Sequence, residues 1–134
     1  MKIATWNVNS LSVRLPQVLD WLAAHPTDVL ALQELKLTDD KFPHDAFAAL
    51  GYQAQVFGQK TYNGVALLSK APATDVIKNI PGFEDDQSRV LCATIDGVRV
   101  IGAYFPNGQE PGSDKFAYKM GWLQALNAWV KDEL

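Results

Sequence analysis

Residues 1–8, MKIATWNV, and residues 28–34, DVLALQE, decide the fold that this sequence predicts. The first stretch is rich in residues that favour strands, and the second contains a short apolar run typical of a strand buried on both faces. Between them, the apolar residues of segment 13–24 recur at helical spacing: Leu15, Val18, Leu19 and Leu22. Strand, helix and strand within about 34 residues form a βαβ unit, which makes the two strands parallel.

The two predicted parallel strands end at polar residues, Asn7 and Glu34. Both residues therefore lie at the same edge of the sheet, which is where open α/β sheets bind ligands. Neighbouring strands are about 4.8 Å apart, so an amide oxygen and a carboxylate there can share a hard cation directly or through water. Each residue alone is also what an ordinary turn or solvated strand end carries. Only the pair indicates a metal site.

The rest of the chain predicts one polar loop, several strands and two helical segments. Residues 36–44 read as the loop, and residues 45–50 as one or two helical turns. Strands are predicted at 52–57, 64–69, 74–80, 89–95 and 98–105, and a final helix at 113–134. Asp96-Gly97 favours a type I′ hairpin between the last two strands.

Composition restricts the class of protein. A chain of 134 residues with 48% hydrophobic residues predicts one folded domain. The formal net charge of −3 does not favour non-specific binding to nucleic acid. No stretch approaches the roughly 20 apolar residues that cross a bilayer, and the N-terminus has no signal-peptide pattern. Cys92 is the single cysteine, so no internal disulfide forms. We expect a cytoplasmic protein without a membrane partner.

A set of short motifs occurs in a fixed order along the whole chain. They are MKIATWNVNSL at 1–11, DVLALQELK at 28–36, GQK at 58–60, YNGVALLS at 62–69, Arg89, AYFPNG at 103–108, and Lys115-Phe116 with Tyr118-Lys119. In order and spacing the sequence resembles the exonuclease III and AP endonuclease family of the exonuclease–endonuclease–phosphatase superfamily. The resemblance implies an α/β fold: about one half of a four-layer α/β/β/α sandwich, a mixed sheet with flanking helices. Residues 1–134 would be the N-terminal half of such a domain.

The resemblance also implies roles at the matching positions. Glu34 would be a metal ligand, and Asn7 would assist the metal site and its hydrogen-bond network. Tyr104 would be a catalytic tyrosine near the scissile phosphate. The implied cofactor is Mg²⁺, with Mn²⁺ as a substitute. One departure lies beside the ligand, where Leu35 replaces the Thr of many members.

The implied substrate is double-stranded DNA with abasic sites or 3′ ends. The residues that would bind it, by position in the motifs, are Lys36, Lys60, Tyr62, Asn63, Gly64, Arg89 and Asn107. The implied activity is that of a DNA-repair nuclease that hydrolyses phosphodiester bonds with Mg²⁺. It would cut at abasic sites, act as a 3′ to 5′ exonuclease, or do both.

Some family motifs have no counterpart in this sequence. The later Asp-x-Asn motif, a further Asp and a closing Ser-Asp-His are unmatched, and neither His25 nor His44 has a suitable context. We therefore expect the isolated chain to be inactive, and its bare inner sheet face to bind a missing C-terminal half or a second copy. The alternative is a non-catalytic DNA- or partner-binding module. A third reading, a relative acting on phospholipid or inositol phosphate, fits the motifs less well.

Overall fold

Two β-sheets and three α-helices make up the chain, and the computed structural model describes residues 1–134. The strands are β1 (Ile3–Asn7), β2 (Val29–Gln33), β3 (Gln53–Phe57), β4 (Val65–Ser69), β5 (Ala73–Lys78), β6 (Val90–Ile95) and β7 (Val98–Ala103). The helices are α1 (Leu11–Ala24), α2 (His44–Ala48) and α3 (Asp114–Glu133), with a 3₁₀ turn at Asp39–Lys41. None of the three α-helices combines the length and the apolar character that crossing a membrane requires.

The first sheet has the strand order β1-β2-β4-β3. β1 and β2 are parallel and in register, with Asn7 opposite Gln33, so the predicted parallel pairing is confirmed. Helix α1 begins at Leu11, earlier than predicted. The side chain of Leu11 is fully buried, and its backbone N–H donates to the carbonyl of Leu35 at 3.0 Å. The burial of Leu11 and this hydrogen bond let the helix begin two residues before the segment that the spacing of apolar residues predicts.

The second sheet is antiparallel, with the order β5-β6-β7. Ile95 and Val98 face each other across a two-residue turn in which Asp96 has φ 51° and Gly97 has φ 74°. Positive φ at both central residues is the mark of a type I′ turn, so the predicted hairpin is confirmed. β7 ends at Ala103, which leaves Tyr104 just beyond the strand.

The elements stack in four layers, and the predicted fold class is confirmed. Helices α1 and α2 cover the outer face of the first sheet, and α3 covers the outer face of the second. The inner faces of the sheets pack on each other through a core that includes Ala31, Leu67, Leu91 and Val100. The inner side of β1 stays exposed, but the prediction of a bare inner sheet face is wrong for β2 and β4. The chain covers that face itself, because β6 and β7 fold back over β2 and β4.

Gly102 sets how closely the two sheets approach. A Cβ atom at this position would lie 3.0 Å from Leu67 Cδ2 and 3.7 Å from Ala31 Cβ. A larger residue would push the sheets apart or force Leu67 to move. β7, which carries the chain to Tyr104, is thereby held tightly against the first sheet.

Strand β1 is the least covered part of the sandwich. It lies at the edge of the first sheet and contributes no residue to the core between the sheets. Ile3 is 53% exposed, and Thr5 and Asn7 are also exposed. Ala4 and Trp6 pack on the helix side, so the uncovered surface is the inner face of this one edge strand rather than of the whole sheet.

Candidate functional site

Loops from both sheets meet at one edge of the sandwich, where β1, β2 and β7 end and β4 and β6 begin. Backbone hydrogen bonds join these loops: Ser10 N–H to Glu34 O at 2.9 Å, Leu35 N–H to Gly64 O at 3.1 Å, Gly64 N–H to Ser88 O at 2.9 Å, and Tyr104 N–H to Arg89 O at 2.8 Å. Backbone hydrogen bonds therefore hold the loops together independently of their side chains.

The side chains of Asn7 and Glu34 meet at this edge. Asn7 Nδ2 donates a hydrogen bond to Glu34 Oε2, and Asn7 Oδ1 accepts one from the backbone N–H of Asn9 at 3.1 Å. Glu34 has φ 58°, in the left-handed region that non-glycine residues seldom adopt. Backbone strain of this kind gathers at functional sites and persists only where the surroundings enforce it.

Lys36 belongs to the same cluster. Its Nζ donates to Asn9 Oδ1 at 2.6 Å and lies 3.9 Å from Glu34 Oε1. Its ammonium group partly compensates the Glu34 charge, so Lys36 contacts the proposed metal-ligating carboxylate. The sequence predicted only a DNA contact for this residue.

Hard oxygen donors are the metal-binding chemistry that this cluster offers. Glu34 supplies a carboxylate, and nowhere do three or more His, Cys, Asp or Glu side chains gather as a metal-binding group. Such a donor set fits a cation like Mg²⁺, which keeps several waters and needs one or two protein carboxylates. It does not fit the closed Cys and His cages that hold structural zinc.

Tyr104 lies between the Glu34 cluster and Arg89. The Arg89 guanidinium carbon lies 5.0 Å from the centre of the Tyr104 ring. Burial raises the pKa of the Tyr104 hydroxyl, the negative charge of Glu34 raises it further, and the Arg89 charge lowers it in part. The hydroxyl therefore stays protonated at neutral pH and is a hydrogen-bond donor.

A cleft of about 600 Å³ opens beside Tyr104. Five of the residues that the sequence predicted for the site line it: Tyr62, Asn63, Arg89, Tyr104 and Asn107. The cleft thus gathers residues from three separate loops.

The other predicted residues lie outside this cleft. Asn7, Glu34 and Lys36 form the adjacent cluster and do not line it. Lys60 is exposed in the loop that leads to Tyr62. Gly64 is buried at the start of β4 with φ 91°, and a Cβ atom there would lie 3.0 Å from Leu35 Cβ.

Sequence reasoning missed the residues that brace the cleft. Gln59 Oε1 accepts hydrogen bonds from Asn63 Nδ2 at 3.1 Å and from the Ser88 N–H at 2.8 Å, which links the loops of the two sheets. On the α3 side, Tyr118 donates to Asp85 Oδ2 at 2.6 Å. Gln59 and Tyr118 fall inside recognised motifs, but their spacing in sequence does not show which partners they have.

Comparison with known proteins identifies the family. The model of the endonuclease/exonuclease/phosphatase family matches residues 4–134. This chain belongs to that family. The predicted family is confirmed, and with it the half-sandwich fold shared with nucleases of the exonuclease III and AP endonuclease type.

Individual family members agree in sequence and in structure. The chain is 32% identical over 139 residues to exodeoxyribonuclease III of Haemophilus influenzae, covering 99% of this chain and 52% of that protein. A structure of the Neisseria 3′ phosphatase NExo with a product DNA hairpin is 53% identical, with TM-score 0.96, covering 99% and 52% of the two chains. An AP endonuclease from Archaeoglobus fulgidus is 37% identical, with TM-score 0.95, covering 100% and 52%. The chain thus spans about half the length of these family members.

Proposed function

We propose that residues 1–134 act as the N-terminal half of a DNA-repair nuclease of exonuclease III type. The reaction is hydrolysis of phosphodiester bonds at abasic sites or 3′ ends of DNA, with Mg²⁺ or Mn²⁺, in the cytoplasm. The observation that carries the proposal is the placement of the Asn7–Glu34 pair beside Tyr104 at one edge of the sandwich. Related proteins described as an exodeoxyribonuclease, a 3′ phosphatase on a DNA hairpin and an AP endonuclease support it.

Glu34 is the residue that would hold the cation. Asn7 keeps the carboxylate in place through its amide hydrogen bond, and the main chain keeps Asn7 in place through Asn9. A bound divalent cation would supply Lewis-acid stabilisation of the charge that develops on the phosphate. Lys36 lies near enough to limit repulsion between Glu34 and an approaching phosphate.

Tyr104 and Arg89 would act on the phosphate itself. The protonated Tyr104 hydroxyl donates a hydrogen bond to a phosphate oxygen, and a donor fixed in advance stabilises the transition state without reorganisation. Arg89 adds positive charge and a planar set of donors suited to phosphate oxygens. These groups bind, orient and stabilise charge.

The DNA backbone would run along the cleft past the loop at residues 60–64. Tyr62 is 68% exposed and offers a surface for contact with a sugar or base. Asn63 and Asn107 line the cleft with amide groups, and Lys60 adds a positive charge nearby. Gly64 allows the main chain to turn closely there. Lys36 would also contact the DNA backbone.

Activation of the attacking water needs a general base that this chain does not place at the site. His25 stacks on Trp21 with ring centres 5.1 Å apart, and His44 packs against Phe42 at 4.9 Å. We propose that the general base belongs to a segment that corresponds to the other half of the related proteins, which this chain does not match. That half would also cover the exposed β1 edge. The isolated chain is then expected to bind DNA weakly and to cut nothing.

The test uses the purified 134-residue chain with an abasic duplex and a 3′-recessed duplex in the presence of Mg²⁺. We expect a divalent cation to bind at Glu34 and no cleavage of either duplex. Multiple turnovers by the pure chain would overturn the need for further residues. In a longer protein that contains this segment, Tyr104→Phe should lower kcat about 100-fold. Tyr52→Phe, a tyrosine bonded to Thr27, is the matched control.

A non-catalytic binding module is the second candidate. The observation that favours it is that both histidines pack against aromatic rings, His25 on Trp21 and His44 on Phe42, and so place no base beside Glu34 and Tyr104. A module of this kind would bind DNA or a partner equally well with and without divalent cation. Unchanged binding in Glu34→Gln, together with no cation binding by the wild type, would select it over the nuclease.

A further inference from the structure

Arg89 is held on several sides by its own chain. Its Nε donates to Gln87 Oε1 at 2.8 Å, and one terminal nitrogen donates to the Tyr104 carbonyl at 3.2 Å. The guanidinium carbon lies 5.0 Å from the Tyr104 ring centre and 5.7 Å from the Tyr118 ring centre. Two aromatic rings thus hold the group in place.

Tyr118 is in turn fixed from the far side. Its hydroxyl donates to Asp85 Oδ2 at 2.6 Å, and the other oxygen of Asp85 accepts from the Gln87 N–H at 3.0 Å. The backbone carbonyl of Asp85 accepts from Asn79 Nδ2 at 2.9 Å. Asp85 therefore braces both Tyr118 and Gln87, two of the three residues that hold Arg89.

Two of the Arg89 nitrogens bond the chain's own acceptors, the group lies against the Tyr118 side chain, and Arg89 still lines the cleft. An arginine restrained in this way loses little side-chain entropy on binding a phosphate, because its orientation is already set. The cleft also carries Lys115 and two carboxylates, Asp86 and Asp114, so its overall charge does not attract an anion. The affinity of the cleft for a phosphate must therefore come from the fixed orientation of Arg89 and not from the net charge of the cleft.

We propose that Tyr118, braced by Asp85, is a positioning residue that presents the Arg89 guanidinium to a DNA backbone phosphate in the cleft. The proposal rests on the proposed function for the identity of the ligand. The positioning itself does not depend on DNA. Tyr118 lies on α3 and contacts no reacting atom, so its effect on binding passes through Arg89.

The first experiment measures positioning without DNA, by the ¹H–¹⁵N NMR signal of the Arg89 side-chain Nε–H in the 134-residue chain. We expect a dispersed, exchange-protected signal in the wild type and in the exposed-face control Met120→Ala. In Tyr118→Leu the signal should move towards the position of a free arginine, and Tyr118→Phe should move it less. An unchanged Arg89 signal in Tyr118→Leu, in a variant that remains folded, would overturn the positioning role.

The second experiment measures binding of a fluorescent DNA hairpin across a series of salt concentrations. Arg89→Ala should weaken binding about tenfold and make the salt slope shallower by about 0.9, the value for one phosphate contact. Tyr118→Leu should have a similar effect, and little further effect once Arg89 is replaced. Additive effects of the two substitutions would overturn the proposal. Failure of the wild type to bind the hairpin would overturn the DNA ligand, while the NMR result decides the positioning separately.

Discussion

Asn7 and Glu34, which are 27 residues apart in sequence, share a side-chain hydrogen bond at the edge of the first sheet. Two separate features bring them together: the parallel register of β1 and β2, and the left-handed backbone of Glu34. In an extended strand, successive side chains alternate between the two faces. The left-handed backbone at Glu34 interrupts that alternation, and the Glu34 carboxylate reaches the Asn7 side chain.

Replacing Glu34 tests the proposed cation site directly. Glu34→Gln keeps the size of the side chain and removes its charge, so divalent-cation affinity of the 134-residue chain should fall at least about tenfold. Titration with Mn²⁺, followed by paramagnetic broadening of amide signals in NMR, measures this. The exposed helix variant Asp20→Asn is the control and should bind as the wild type does. Equal affinities in all three proteins would remove Glu34 from the site.

Asn7→Asp should make stability depend on cations. The change removes the amide donor and places a second carboxylate beside Glu34, so the metal-free fold should lose about 1 kcal/mol at neutral pH. A divalent cation bound at this site would restore the lost stability, and thermal unfolding with and without Mg²⁺ records the difference. Asn127→Asp, on the exposed face of α3, should show no such dependence. A melting temperature insensitive to Mg²⁺ in Asn7→Asp would contradict the site.

Alkaline pH should destabilise the fold through its two cleft tyrosines. Burial raises the pKa of Tyr104, with a further contribution from the Glu34 charge. Burial and the hydrogen bond to Asp85 raise the pKa of Tyr118. The unfolded chain releases these protons first, from groups with an ordinary pKa of 10.0. Their contribution to stability is therefore complete below pH 10 and is lost progressively above it.

Chemical denaturation between pH 8 and pH 11 measures that loss. Tyr118→Phe has no hydroxyl proton to release at this position, so its stability should fall less steeply above pH 10 than that of the wild type. Parallel slopes in the two proteins would show that Tyr118 does not contribute to the alkaline transition. An absorbance titration at the tyrosinate band gives an independent reading.

Two glycine substitutions should change stability in opposite directions. A Cβ atom at Gly58 would collide with the Leu37 carbonyl and lie 2.9 Å from the Asp39 backbone nitrogen, so Gly58→Ala should cost about 3 kcal/mol. At Gly121, inside α3, the nearest atom to a new Cβ is 3.9 Å away on Phe83. Gly121→Ala should therefore stabilise the helix by about 0.5–1 kcal/mol. Urea unfolding measures both, and destabilisation by Gly121→Ala would contradict the packing described for α3.

The parts of the site that the sequence predicts correctly depend on local structure. Asn7 and Glu34 follow two strands of one βαβ unit, so their meeting can be deduced from a short segment. The stack of Arg89 on Tyr104 and Tyr118 joins β6, β7 and α3. It depends on how the second sheet and its helix pack, which no local pattern encodes. The sequence likewise predicts only a DNA contact for Lys36, because its distance to Glu34 depends on the left-handed backbone of both residues.

The arrangement of the sheets shows the same limit. Continuous apolar runs in β4 and β6 indicate burial on both faces. They do not say whether the second covering layer comes from the same chain. Assigning that layer to another half predicts a bare inner face, whereas β6 and β7 of the same chain cover that face over β2 and β4.

The backbone hydrogen bonds between the loops also determine which kinds of sequence change this edge can accept. Main-chain groups of Ser10, Glu34, Gly64 and Ser88 hold the loops together, and every residue except proline supplies both the N–H and the carbonyl. Point substitutions other than proline can therefore change the side chains at this edge while the backbone arrangement persists. Inserting one residue into one of these loops would shift the donors and acceptors of that loop away from their partners. This edge of the sandwich therefore tolerates substitutions of side chains but not changes in loop length.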